Sequence, residues 1–455
     1  MSDIPRALVV GAGLAGSLMT TMLARRGWKV DLVERRGDLR LSSGSAGRSI
    51  NLALSTRGIT ALERVGLAVN VLEETIPMHG RMMHDHRGQL TFQPYGQSGQ
   101  AIQSVSRRGL NELLLNIAEQ QANVSVSFDL RCTDVDIDAP TAHFINRDGE
   151  PVVKKADLLI GCDGIFSTVR GRMMKTDRFD YEQRYLAHGY KELSVLPGVD
   201  GEFQLEPEAL HIWPRGDFML IALPNLDRSF TCTLFHAYGG DDGFDNLQSD
   251  EQVLDFFRRH FPDVLPVMPN LLEDWRANPV SSLATIQCAP FHHGDTTVLI
   301  GDSAHAVVPF YGQGMNAAFE SASIFDQILA EHGNDLSAAL PAFTRQRKAD
   351  ADAIRQLALD NFLEMRDHVA DPEFLRRSAI EKRIQRASAS PYLPLYSMVT
   401  FSNLPYAETI RRSRVQSRWL DERLAAASQS EVDETSEAFI ALLLKEPPPV
   451  FDSLS

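Results

Sequence analysis

The chain has 455 residues, 44% of them apolar and 23% charged, an ordinary globular balance in a chain too long for one small core. A formal net charge of −15 excludes the basic face that phosphate backbones require, so no nucleic-acid partner is expected. The four cysteines, Cys132, Cys162, Cys232 and Cys288, are far apart and form no CxxC pair; that excludes a zinc motif or a disulfide framework and points to a reducing, cytoplasmic setting.

In chain order, the first predicted element is a short buried strand, ALVV. GAGLAG follows at once and places Gly11, Gly13 and Gly16 in G-x-G-x-x-G spacing, ahead of a predicted helix, SLMTTMLARR, that Gly27 ends as a C′ residue. A second strand, KVDLVE, ends at Glu34, 18 positions after Gly16. A strand, this glycine turn, a helix and a distal acid together read as a dinucleotide site. Gly11 makes the tight turn, Gly13 lets the backbone approach a pyrophosphate, Gly16 lets helix and strand pack, and Glu34 accepts from a ribose hydroxyl. The motif alone does not separate FAD from NAD. Three glycines at turn spacing argue against a secretory leader in this apolar run, and no run reaches the ~18–20 apolar residues of a membrane helix.

Further along, Arg107 and Leu110 in SRRGLNELLL open another predicted helix. ADLLIGCDGIFSTVR (156–170) is a buried strand, an Asp-Gly turn and a helix start. LHIWPRGDFMLIALPNLDRSF (210–230) reads as two strands joined at PNLD. TTVLIGDSAH repeats the strand–turn–helix grammar, and both segments put an aspartate, Asp163 or Asp302, at the carboxyl end of a strand, where open α/β sheets bind ligands. Then PFYGQGMN sets Gly312 and Gly314 just before a helix, which expects something to lie against the backbone. Ile354, Leu357, Ala358, Asn361 and Met365 fall on one helical stripe, and the amide of Asn361 needs a partner there.

These four pieces (GAGLAG with Glu34, Arg107–Leu110, Asp163-Gly164 with Arg170, and Gly301-Asp302 through Pro309 to Gly314) resemble, in order, the motifs of the single-component FAD-dependent aromatic hydroxylases. The resemblance implies FAD as cofactor and NADPH as co-substrate, the latter without a Rossmann fold of its own, since no second GxGxxG is present. It implies that Asp302 meets the ribityl–phosphate part of FAD and that main-chain N–H groups of Met315 and Asn316 face the flavin's pyrimidine edge, where reduction places negative charge. It carries over further FAD contacts to Leu14, Ala15, Arg35, Arg48, Ala53, Arg107, Cys132, Asp163, Pro309, Gly312 and Gly314.

Within that family, GRSINLALSTRG, HGRMMH, QPYG, HGYKEL, VPFYGQGMN, LALDNFLEM and YSMVTFSNLPYAE resemble the kynurenine 3-monooxygenases. The resemblance implies hydroxylation of L-kynurenine with NADPH and O2 through a flavin C4a-hydroperoxide. It implies substrate contacts from Arg81, Tyr95, Asn361, Tyr406, Phe230, Gln313 and Met365, with Phe218, Leu220, Ala222 and Phe230 walling the aromatic end. Arg81 suits the carboxylate through a bidentate pair. Taken alone, Asn361 reads as a core amide bonded to backbone, Arg81 as a surface ion pair and Tyr95 as a strand aromatic. No metal site and no catalytic acid–base dyad is visible, and an aniline ring with its free lone pair requires no strong base.

The expected architecture is α/β: a Rossmann-like FAD-binding domain (1–72, 103–182 and 282–345) interleaved with a mixed or antiparallel sheet domain for substrate (73–102 and 183–281), then a helical region (346–455). A monomer or homodimer is expected. Two alternatives remain at this stage: hydroxylation of another aromatic amino-acid derivative, and a flavin-binding protein that does not hydroxylate.

Overall fold

The computed structural model describes residues 4–41, 51–97, 99–363, 372–387, 390–427 and 432–451. Arg48 and Met365 lie outside the described residues.

The flavin-type motifs sit on a six-stranded sheet ordered His292–His293, Thr297–Leu299, Leu158–Gly161, Arg6–Val10, Lys29–Val33, Val124–Ser127. The last five strands are parallel. Their residues are continuous apolar runs because both faces are covered: Ala7, Leu8, Val9 and Leu158 to Ile160 are wholly buried. The helices Leu14–Arg25 and Gly314–Glu331 pack into this core. Gly27, in left-handed backbone at φ +87°, ends the first of them as the sequence anticipates.

A seven-stranded sheet follows the order Ser281–Ala289, Asp180–Val195, Phe230–Ala237, Met219–Pro224, Ala209–Pro214, Gly80–His84, Leu90–Pro94. It is mixed: Gly80–His84 runs parallel to Ala209–Pro214, and the other pairs are antiparallel. The stretch 210–230 holds an extra turn at 215–218, so Ala209–Pro214 is a strand of its own and only the later pair is joined at PNLD.

Strand alternation gives this sheet two different faces. Leu220, Ala222, Phe230, Cys232 and Leu234 face a core closed by Phe256, Phe257 and Phe261 from the helix Asp250–His260 and the residue after it. Ser249 and Gln252 form a capping box at the start of that helix. Met219, Ile221, Leu223 and Phe235 face the other way, toward the helix Leu336–Leu363 and the turn around Phe310. Towards the C-terminal end, the helices Pro372–Arg386, Tyr406–Ala427 and Glu437–Leu443 close a smaller core with Trp419, Leu420 and Phe439. Among the described residues no helix is long and apolar enough to cross a membrane.

Candidate functional site: a dinucleotide cradle beside an aromatic, cationic pocket

Three turns converge at the carboxyl ends of the adjacent strands Arg6–Val10, Leu158–Gly161 and Thr297–Leu299. A Cβ on Gly11, at φ +104°, would stand 2.4 Å from the Cys162 carbonyl oxygen, so only glycine lets the first two turns touch. Gly13 caps the helix Leu14–Arg25 through its backbone, and a Cβ there would meet nothing within 4 Å. Its surface is open in the place where a pyrophosphate would approach. Glu34 is buried and accepts from the Ala12 N–H at 3.0 Å and from the Arg36 side chain at 2.8 Å. It thus fastens the glycine turn from the end of the second strand.

Asp163 accepts from the Thr168 N–H at 2.7 Å through one oxygen, while its other carboxylate oxygen is buried with no hydrogen-bond partner. Burial pushes this carboxyl above its usual range against hydrogen bonds from Ser167 and the Val169 and Thr168 amides. Arg170 ties this turn to the next by donating to the carbonyls of Ser303 (2.8 Å) and Ile165. Asp302 is exposed to solvent. The protein crowded around it pushes its carboxyl up, and Arg107 counters that rise. Cys132 lies at the edge of this group; its thiol is pushed up to about 12 by burial and by Asp163 and Asp134. Its carbonyl accepts from Thr168 at 3.4 Å.

The helix Gly314–Glu331 makes its first backbone bond from Ala317 to Gln313, 2.8 Å, so the Met315 and Asn316 N–H groups belong to its open end. Gly312, at φ +66°, reverses the chain before it. The Asn316 side chain accepts from the Ser55 N–H at 2.9 Å and donates to the Ala53 and Gly312 carbonyls at 2.8 and 2.9 Å. An open glycine turn, an orphaned carboxylate oxygen, an aspartate within the field of Arg107 and a helix N-terminus fit one elongated cofactor bearing phosphates and an electron-accepting ring.

Beside this cradle lies a second constellation. Arg81, in register with Leu210 on the neighbouring strand, carries its guanidinium 4.6 Å over the Tyr396 ring and 5.7 Å from that of Tyr95. Tyr396 stacks on Tyr95 and on Tyr311, both at 5.5 Å. Burial pushes the Tyr95 phenol well above its usual range, with Tyr396 adding to the rise. Asn361 is buried on its helical stripe and donates to the Phe310 carbonyl at 2.7 Å. Phe310 stacks on Phe362 at 4.3 Å and lies 4.9 Å from Phe235.

Three expected substrate contacts fall elsewhere. Tyr406 is wholly buried and donates to Gln313 at 2.9 Å, with Arg57 3.8 Å over its ring; Tyr396, ten positions earlier on the helix Leu395–Thr400, stands beside Arg81 instead. Phe230, with Phe218, Leu220 and Ala222, belongs to the opposite face of the sheet, against the helix Asp250–His260. The residues one position off, Met219, Ile221 and Leu223, take the pocket side. Gln313 is 2% exposed and its amide is engaged at both ends, by Tyr406 and by Ser55 (3.3 Å). Alternation along the strand sorts these residues into two sets, both apolar, without saying which set faces the pocket, and the stretch YSMVTF carries Tyr396.

A family profile described as an FAD binding domain matches residues 5–358. Curated relatives named kynurenine 3-monooxygenase include one from Stenotrophomonas maltophilia, 45% identical over 410 residues and covering 90% of each chain. Another, from Sus scrofa, is 42% identical over 427 residues, 93% of this chain and 90% of that one. The chain belongs to the kynurenine 3-monooxygenase family. Among solved structures, a tetrameric 2-methyl-3-hydroxypyridine-5-carboxylic acid oxygenase superposes with a TM-score of 0.66 at 22% identity, covering 82% of this chain and 96% of its own. Pseudomonas aeruginosa PqsL superposes at 0.60 with 20% identity, covering 80% and 97%. At those identities the likeness shows a shared fold. Membership in the kynurenine 3-monooxygenase family makes the chain an FAD-dependent flavoprotein monooxygenase.

Proposed function

We propose that the chain hydroxylates L-kynurenine beside its ring amine to give 3-hydroxykynurenine, using NADPH and O2. The observation that carries the substrate assignment is the Arg81–Tyr396–Tyr95 group. Kynurenine is an aniline ketone with an amino-acid tail, and its carboxylate cannot enter an apolar pocket unpaired without a cost of several kcal/mol. Arg81 supplies the cation, Tyr95 and Tyr396 flank it, and Phe310, Phe235 and Leu223 line the sheet face beyond.

FAD, when bound, carries two electrons from NADPH to O2; one oxygen atom enters the ring, the other leaves as water, and NADPH becomes NADP+. The chain's own tasks are narrower. Gly13, Glu34 and Asp302 would hold the cofactor's phosphate and sugar parts, and the Met315 and Asn316 amides would stabilise negative charge on its ring. Asn361 holds the Phe310 turn, and the aromatic wall orients the substrate ring and keeps water out. The aniline lone pair already activates the ortho carbon, so no side chain has to remove a proton first. A reducing, cytoplasmic setting matches the four free thiols. The test is product analysis: purified protein with FAD, NADPH and air should convert kynurenine to a species one oxygen heavier that co-elutes with 3-hydroxykynurenine. Conversion of a different aromatic amino-acid derivative, with kynurenine untouched, overturns the substrate assignment.

A further inference from the structure

The flavin-facing turn is gripped from behind by a buried polar network that also holds the helix bearing Tyr396. Its hub is Arg57, 1% exposed, in the first turn of the helix Thr56–Arg64. The guanidinium donates to the Val399 carbonyl at 3.2 Å and to the Leu404 carbonyl, and pairs with Glu320 at 2.6 Å. Its carbon lies 3.8 Å over the Tyr406 ring. Val399 is three residues beyond Tyr396 on the same short helix, and Tyr406 begins the next. The Tyr406 hydroxyl then donates to Gln313 at 2.9 Å, and Gln313 is the N-cap of the helix whose first amides face the flavin position.

On the far side of the hub a second set of ion pairs continues the network. Glu320 also pairs with Arg347 at 2.9 Å; burial opposes its ionisation, but Arg347 and Arg57 outweigh burial and hold the carboxyl below its usual range. Asp350, 3.4 Å from Arg347, accepts from the Ala407 N–H at 2.9 Å and so fixes the start of the Tyr406 helix. Buried charge networks of this kind move as units, because breaking one bond strands a desolvated group.

We propose that Arg57 and Tyr406 are positioning residues that transmit occupancy of the Arg81–Tyr396 end of the pocket to the Gln313 turn. A carboxylate arriving at Arg81 competes with its stacking on Tyr396 and shifts the short helix Leu395–Thr400. Val399 and Leu404 move with that helix, Arg57 follows their carbonyls, and Tyr406 resets Gln313 and the amides behind it. Tyr396 also reaches the turn directly through its stack on Tyr311, so the turn is held by two arms, one on each side of Gly312. The inference rests on the functional assignment above.

The test is hydrogen exchange of the FAD-loaded protein with and without kynurenine, read at 312–316 by mass spectrometry. Kynurenine affinity is followed separately by flavin absorbance. In the parent protein kynurenine should slow exchange at 312–316 by about three- to tenfold, the worth of about one hydrogen bond. Tyr406→Phe keeps the ring over Arg57 and removes only the hydroxyl; it should bind kynurenine with unchanged Kd and lose that slowing. Arg57→Lys, which keeps the charge for Glu320 but cannot hold both carbonyls, should behave the same way and serves if Tyr406→Phe folds poorly. If the variants exchange faster in both states with the kynurenine-dependent ratio preserved, the residues are merely structural and the proposal is overturned. It is overturned equally if the parent binds kynurenine with no change at 312–316. Failure of the parent to bind kynurenine at all overturns the functional assignment first.

Discussion

Arg81→Ala should raise the kynurenine Kd by one to three orders of magnitude while FAD content stays normal. In the structure the guanidinium is the cation held over Tyr396 at 4.6 Å and near Tyr95 at 5.7 Å, on a strand of the seven-stranded sheet and away from the three flavin turns. Truncating one partner of a buried, hydrogen-bonded charge pair costs about 2–5 kcal/mol, which at about 1.4 kcal/mol per tenfold gives the stated range. Exposed rim pairs cost far less, about 0–1 kcal/mol, so a shift of only a few fold would place the carboxylate elsewhere. Arg81→Lys should recover part of the loss, since an ammonium offers one point of charge where the guanidinium offers a fork. The assay is titration of the flavin absorbance spectrum with kynurenine. Near-normal affinity in the alanine variant refutes the assignment. The first group to examine then is Lys382, whose ammonium is pushed down by burial and by Arg81 and Arg386 nearby.

Glu34→Ala should lose FAD on dilution, by about tenfold or more, since a charge-assisted hydrogen bond is worth about 1.5–3 kcal/mol; unchanged retention in a desalting assay would remove Glu34 from the cofactor site. Tyr396→Phe should weaken kynurenine binding in the absorbance titration, whereas Tyr406→Phe should not, and the reverse order would restore Tyr406 as the substrate tyrosine. His305, bonded to Ser321 at 2.9 Å, is lowered from 6.5 to about 4 by burial, with Arg347 adding to it. The unfolded chain therefore takes up a proton that the fold refuses, so its contribution is complete above pH 6.5 and is lost as pH falls toward 4. His305→Asn should flatten the pH dependence of urea-unfolding free energy in that window by about 1.4 kcal/mol per pH unit; an unchanged slope would show that His305 titrates alike in the folded and unfolded chain.

Much of the cofactor half was legible because it rests on backbone. GAGLAG, Asp163-Gly164, Gly301-Asp302 and Gly312 are where side chains would collide or φ turns positive, and such positions declare themselves in a single sequence. The substrate half depends on which way side chains point. In 210–230 apolar residues fill both alternating sets, since both faces of the sheet are buried, so nothing in the pattern separates the face with Phe230 from the face with Leu223. Tyr396 and Tyr406 present the same difficulty. Two tyrosines ten positions apart head successive helices, and tertiary packing alone puts one at Arg81 and the other at Gln313. Asn361 was readable both as a core amide and as a pocket residue. The structure gives its donor a backbone carbonyl, and that carbonyl belongs to Phe310, in the wall of the pocket.

The most direct test of the central claim is a single turnover of the FAD-loaded protein, reduced anaerobically with one equivalent of NADPH, then mixed with kynurenine under oxygen labelled with the heavy isotope. Hydroxylation as described yields one labelled oxygen atom in 3-hydroxykynurenine for each NADPH oxidised, with little peroxide. NADPH oxidation that ends in peroxide, with kynurenine recovered unlabelled and unchanged, would contradict it.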